Sequence, residues 1–266
     1  MWTERNNPPA YDAMIKMIAT DLDDTLLRTD KTVSSYTFGV IERVRALGIK
    51  VIFATGRGDS TESLLSHALF DGHVHLNGAK AYVGGRLVYD RTIPSFLFAP
   101  FLRELAAYGL DVVAEIDGTH FSNFDVGARW SGFDRFVISD FDESLGQAGK
   151  LYALIDHPRQ LDFIQSRIPD DCYLTVTRDR MAMVMHKKAR KSFGVSAVAE
   201  AFDIDREHIV AFGDDDNDVD MLIHVGHGVA MANAIDRVRD VADAICDTND
   251  RDGVAKWLEE HVLAQQ

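Results

Sequence analysis

Three short apolar runs, each broken off by a polar loop, constrain the fold of this chain more than any other feature. "MIKMIA" leads into the acidic stretch "TDLDDT", "IKVIFA" ends at "TGRG", and "HIVAF" ends at "GDDDND". Runs of this length without polar alternation suit strands buried on both faces, and such strands belong to parallel sheets covered by helices. Strands are therefore expected over 14–20, 49–54 and 208–212. Between the first two, Phe38, Ile41, Val44 and Leu47 recur every three residues and Gly48 follows, which predicts an amphipathic helix with a glycine cap. Asp59 and Glu62 form a D-x-x-E start for the next helix. This alternation predicts an α/β fold.

The stretch from 91 to 185 has another character. It follows a hairpin signal, "AYVGGRLVY", in which Gly84 and Gly85 supply the two-residue turn. Its pattern predicts a helix over 95–108, strands over 111–117 and 119–124, a strand at "KLYALI", a helix over 158–168, and paired strands over 172–177 and 180–185. Because "GDDDND" comes later, the α/β core is expected to be discontinuous, 1–90 plus 186–266, with 91–185 inserted as a second, α+β domain.

In open parallel sheets, ligands bind outside the carboxyl ends of the strands. The three polar loops are therefore expected to converge, bringing Asp21, Asp23 and Asp24 towards Asp214, Asp215, Asp216 and Asp218. Carboxylates a few ångströms apart disfavour one another's ionisation, so the crevice calls for a cation, and a hard oxygen-ligand ion such as Mg²⁺ suits it. A calcium loop of EF-hand spacing fails. Counted from Asp21 it meets Leu26 and Thr32 where Gly and Glu are needed; counted from Asp214 it meets Val219 and Val225.

The 266 residues are 46% hydrophobic and carry a formal net charge of −14. That charge argues against nucleic acid or an anionic membrane as the main partner, and obliges an anionic substrate to find a local positive site. Cys172 and Cys246 form no C-x-x-C pattern and fit ordinary thiols in a reducing compartment. Residues 1–13 lack the apolar stretch of a signal peptide and read as a loose leader, and no segment has the length of a membrane helix, so a cytoplasmic location is expected. His73 with His75, and His224 with His227, lack a partner set of metal-ligand spacing and read as packing or surface residues.

Five elements in order, "DLDDTLL", "FATGR", a lysine ahead of the third strand, "GDDDNDVDML" and the tail "GVAMANA…ADAICDTNDRDGVAKWL", resemble the haloacid dehalogenase superfamily, specifically its Cof-type phosphatases with a large cap of the IIB kind. The resemblance implies a Rossmann-like parallel-sheet core with an inserted α+β cap. It implies Asp21 as the nucleophile that forms an aspartyl-phosphate, and Asp23 as the acid that protonates the leaving alkoxide and then the base that activates water. Mg²⁺ would be held by the Asp21 side chain, the main-chain carbonyl of Asp23 and the Asp214 side chain, with Asp218 supporting the water shell of the metal. Thr55, the Gly56 N–H and Asn217 would bind the phosphoryl group, while Thr25 steadies the turn and Asp24 is structural or solvent-facing. The phosphate lysine aligns with Lys191, but the flanking residues depart from the G-V-S-K-G form of the family, which keeps Lys187 and Lys188 as alternatives. Arg57 would hold either phosphate or a core carboxylate. "NDRDG" would close the core, with Asn249 and Asp250 near the site.

In this family the cap selects the substrate, and "EIDGTHFSNFD" offers His120, Phe121 and Asn123 as its specificity residues. The expected function is Mg²⁺-dependent hydrolysis of small phosphate monoesters, sugar phosphates or similar metabolites, by a monomer or homodimer. The alternatives are a sugar phosphomutase of the same superfamily and a non-catalytic sugar-phosphate sensor.

Overall fold

The computed structural model describes residues 15–58, 61–62, 64–129, 135–142, 145–177 and 180–264. The leader and Asp59, from which a helix was expected to start, lie outside them. The strands are β1 (Met17–Thr20), β2 (Lys50–Ala54), β3 (Gly72–His75), β4 (Lys80–Val83) and β5 (Arg86–Asp90), then β6 (Ile93–Pro94), β7 (Val112–Ile116), β8 (Thr119–Ser122), β9 (Phe136–Ile138) and β10 (Gln147–Ala148). They continue as β11 (Lys150–Leu154), β12 (Cys172–Val176), β13 (Met181–His186), β14 (Ile209–Gly213), β15 (His227–Ala230) and β16 (Ala244–Ile245).

Among the described residues these strands form an eight-stranded sheet in the order β16-β15-β14-β1-β2-β3-β4-β5, a six-stranded sheet in the order β12-β13-β11-β7-β8-β9, and a β6-β10 ribbon. From β16 to β3 the large sheet is parallel, and β4 and β5 return antiparallel through the Gly84–Gly85 turn. The three apolar runs of the sequence are thus neighbours, β14-β1-β2, with Met17 paired to both Ile209 and Lys50. β1 and β14 are buried along their whole length, which is why neither shows polar alternation.

The helix Ser35–Ala46 starts where the Ser34 side chain accepts the Thr37 N–H. Its buried face is Thr37, Val40, Ile41 and Val44. Leu47, expected to continue the apolar stripe, is exposed. A strict spacing of three drifts around a helix of 3.6 residues per turn, whereas steps of three and four stay on one face. Past the expected start at Asp59, the described part of 61–70 holds a 3-10 turn, His67–Leu69.

Apolar packing divides along the sheets. One cluster joins Ile18, Phe53, Val195 and Phe212 with their neighbours. A second joins Phe98, Leu105, Val112, Leu151 and Ile164. A small third cluster, Leu76, Ala79, Met185 and Ala189, forms where the chain returns from β13 to the large sheet.

Candidate active site

Because β14, β1 and β2 are adjacent and parallel, their carboxyl ends open on one edge. Asp21 follows β1 directly, and its N–H donates to the Phe212 carbonyl at 3.0 Å, which sets it beside the Gly213–Asp214 bend. A wide helical turn over Leu22–Leu26 carries the chain away, with Asp24 at φ 57°. That left-handed conformation is one aspartate tolerates better than most residues.

Lys191 opens the helix Lys191–Ala201 and is fully buried. Its ammonium donates to Asp21 Oδ1 and Asp218 Oδ1, both at 2.5 Å. The other oxygen of Asp218 accepts the N–H groups of Asp214 at 3.0 Å and Asp215 at 3.2 Å, so this buried carboxylate shapes the acidic loop as well as holding the lysine. The Thr25 hydroxyl donates to Asp214 Oδ1 at 2.8 Å. One carboxylate oxygen from each of Asp21, Asp214 and Asp218 lies within 4.8 Å of the others.

Three ionised carboxylates against one ammonium would leave two negative charges in a buried space. Burial pushes the Asp21 carboxyl well above the usual range; Lys191 opposes this, while Asp218 and Asp214 add to it. Burial, reinforced by the charge of Asp218, pushes Asp214 up to about 7 despite the Thr25 bond. Lys191 is held charged, since the two carboxylates outweigh its own desolvation. A pocket that resists ionisation until positive charge arrives fits a hard divalent cation.

The Asp23 side chain is not a member of this group. Arg57 grips it through two bonds, Nε to Oδ2 at 2.6 Å and Nη2 to Oδ1 at 2.7 Å, and Lys31 Nζ lies 3.0 Å from Oδ1. Burial disfavours the Asp23 charge, but the bonds from Arg57 and Lys31 prevail and hold the carboxyl below its usual range. Of the two roles open to Arg57, the structure gives it the core carboxylate.

At the end of β2, Thr55 is buried and its hydroxyl accepts the Arg57 N–H at 3.1 Å. Asn217 donates from Nδ2 to Asn77 Oδ1 at 3.0 Å, and a Cβ placed on Gly56 would lie 3.0 Å from that same oxygen, so Gly56, Asn77 and Asn217 meet at one point. Lys187 and Lys188 remain in the turn before the helix, where the Lys187 N–H donates to the Asp171 carbonyl; only Lys191 reaches Asp21. The "NDRDG" tail wraps the segment after Asp21: Asn249 donates to the Leu27 carbonyl, Asp250 accepts from Thr29, and Asp252 pairs with Arg28.

Two of the three expected cap residues are not brought to the site. Phe121 packs against the second apolar cluster. Asn123 accepts the Val112 N–H and donates to the Leu110 carbonyl, locking the end of the β7-β8 hairpin opposite its turn. His120 instead pairs across the sheet with Glu115. The residues that approach the core had no motif to announce them. Lys150 donates to the Gly56 carbonyl, Glu115 Oε1 stands 2.6 Å from where a Gly58 Cβ would be, and the Tyr152 hydroxyl donates to Glu115 Oε2 at 2.7 Å. Asn77 was also missed; its position just past β3, within an N-G pair, is the signal that points to it.

The histidine expectation also needs correction. His224 contacts Ser196 and His227 stacks on Trp257, as packing residues do. His73 and His75, however, have a third partner in His67, at sequence distances that gave no familiar ligand spacing.

A family model described as haloacid dehalogenase-like hydrolase matches residues 18–258. The chain is 31% identical over 265 residues to the 5-amino-6-(5-phospho-D-ribitylamino)uracil phosphatase YitU of Bacillus subtilis, across 92% of this chain and 97% of that protein. Among solved structures it resembles the phosphatase BT1666 from Bacteroides thetaiotaomicron, with a TM-score of 0.83 and 26% identity over 96% of this chain and 98% of that one. It also resembles the subclass IIB sugar phosphatase BT4131, with a TM-score of 0.78 and 25% identity over 92% and 98% of the two chains.

Proposed function

The chain belongs to the haloacid dehalogenase-like hydrolases, with the Cof-type phosphatases of subclass IIB, and from that premise we propose that it is a Mg²⁺-dependent phosphatase of small phosphate monoesters working through an aspartyl-phosphate. The observation that carries this reading is the buried cluster of Asp21, Lys191, Asp218 and Asp214 at the adjoining ends of β1 and β14. The donors fit Mg²⁺: all are oxygens, and the excess negative charge is two. The side chains of Asp21 and Asp214 and the main-chain carbonyl of Asp23 would hold the ion, with Asp218 supporting its water shell, and it would supply positive charge against the phosphoryl oxygens.

The chain's own residues then divide the work. Thr55, the Gly56 N–H, Asn217 and Lys191 bind the non-bridging oxygens and hold phosphorus in line with an Asp21 oxygen. Asp21 attacks phosphorus, the ester P–O bond breaks, and Asp23 gives its proton to the departing oxygen. Water then attacks the same phosphorus, its proton passes to Asp23, and the bond to Asp21 breaks to release phosphate. Since Arg57 and Lys31 hold Asp23 ionised, it must release them and take up a proton from solvent before it first acts as an acid.

We read 91–185 as the cap and 1–90 with 186–266 as the core. Lys150 and Glu115 present an amine and a carboxylate over the Gly56–Gly58 loop, with the Tyr152 phenol bonded to Glu115 and the His120 imidazole beside it in the sheet, a set matched by a leaving group rich in hydroxyls. One relative is named for a phosphoribityl compound and one structural neighbour for sugar phosphates, and both support a sugar or polyol phosphate as substrate.

The test is phosphate release from a panel of sugar and polyol phosphates. Release is expected with Mg²⁺, and not with EDTA or in Asp21→Asn. Undiminished release in EDTA contradicts the metal role, and dependence on a bisphosphate activator without net release favours a phosphomutase.

A further inference from the structure

Apart from the carboxylate centre, three imidazoles converge beside β3. His73 and His75 stand two residues apart on that strand and so leave the same face of the sheet. The turn His67–Leu69 brings His67 over them. Ring centroids are 4.7 Å apart for His67 and His73, 4.8 Å for His73 and His75, and 5.7 Å for His67 and His75. Phe53 and Tyr82 stack on the His73 ring and wall the group.

Packing accounts for the walls but not for the polar atoms inside them. His73 Nδ1 and His75 Nε2 are 2.7 Å apart, so the two rings share a single proton at that contact. His75 Nδ1 is buried and has no hydrogen-bond partner. Burial, with the neighbouring imidazoles, holds His73 down to about 4 and His75 to about 3, so both are neutral at ordinary pH. Neutral imidazole is the form that binds metal.

We propose that His67, His73 and His75 form a three-imidazole site for a divalent transition metal of the Zn²⁺ class, separate from the carboxylate centre. One nitrogen from each ring lies within 4.8 Å of the other two. Zn–N bonds of about 2.0–2.1 Å set the nitrogens of a tetrahedral site roughly 3.4 Å apart, so only small ring movements are needed. The 2.7 Å contact opens, and the ion takes the place of the shared proton. Nitrogen donors select Zn²⁺, Co²⁺, Ni²⁺ or Cu²⁺, whereas Mg²⁺ keeps to oxygen, so the two centres need not compete.

The surroundings suit such a site. Thr61 Oγ1 lies 3.0 Å from His67 Nε2, as an outer partner of a ligating imidazole does. Three protein ligands leave a fourth position, and the same histidines line a cleft of about 760 Å³ with Glu62, Lys80 and Glu115. Water or an anionic group can complete the set from there.

The experiment is a Co²⁺ titration of EDTA-treated, full-length protein in excess Mg²⁺, followed by visible absorption. Wild type is expected to bind one equivalent with the d–d bands of a tetrahedral nitrogen site, and Zn²⁺ to abolish those bands. Asp214→Asn should keep this uptake, and the double variant His67→Gln with His73→Gln should lose it, near-UV circular dichroism establishing that both variants remain folded. No Co²⁺ or Zn²⁺ uptake by wild type overturns the proposal. So does uptake that persists in the folded double variant, or that disappears with Asp214→Asn.

Discussion

Lys191 has no exposed surface, yet its ammonium meets two buried carboxylates, and this arrangement makes it a structural as well as a chemical residue. Replacing it by methionine removes the cation and leaves Asp21 and Asp218 facing each other. Breaking a buried pair in this way costs about 3–5 kcal/mol. Lys191→Met is therefore expected to lower the unfolding free energy obtained from urea denaturation by that amount and to abolish phosphate release. Asp214 makes a prediction about pH. With its carboxyl pushed up to about 7, Mg²⁺ must displace the Asp214 proton below that pH. The Mg²⁺ concentration giving half-maximal activity should rise at least tenfold per unit as pH falls below about 7, which activation curves at several pH values will measure. Asp21 and Asp214 could be brought together from the sequence because each follows a buried strand, whereas Lys191 was reached only through the family resemblance. Phe121 and Asn123 could not be placed. On a short strand, a shift of one position moves a side chain to the other face, and nothing in "THFS" says which face meets the core.

At the scale of elements, the buried strands declared themselves by uninterrupted apolar runs, and the Gly84–Gly85 hairpin by its turn residues. The two-residue strands β6, β10 and β16 are too short to carry a period, and the docking of loops upon helices leaves little trace in local sequence. Gly78 shows such docking. At φ 95°, it lets the β3–β4 turn lie on the start of the Lys191 helix, where a Cβ would stand 2.0 Å from the Arg190 carbonyl oxygen. Gly78→Ala must move backbone against backbone, at a cost of about 1–3 kcal/mol or more. Because Asn77 and Lys191 flank this contact, the expected result is a lower melting temperature together with weaker binding of inorganic phosphate to the Mg²⁺-loaded protein; a Gly39→Ala control, at an open position inside the Ser35–Ala46 helix, should lower neither.

Across the whole molecule, the two thiols report on different interiors. Cys172 belongs to the cluster under the six-stranded sheet and Cys246 to that of the eight-stranded sheet. Burial pushes their thiols up to about 11 and about 12, so neither should react with an alkylating reagent in native protein at pH 8. In rising urea, the smaller cluster should open first, and peptide mass spectrometry should find Cys172 labelled at a lower concentration than Cys246. Simultaneous labelling would mean that the two interiors unfold as one. The activity proposed for the acidic centre at the ends of β1 and β14 requires that phosphorus be attacked twice, first by Asp21 and then by water. The most direct measurement is hydrolysis of a phosphorothioate monoester made chiral at phosphorus by sulfur and two oxygen isotopes, in water carrying the third isotope. Two in-line displacements predict net retention of configuration in the released thiophosphate, whereas net inversion would show that water attacks the substrate directly and would contradict the account.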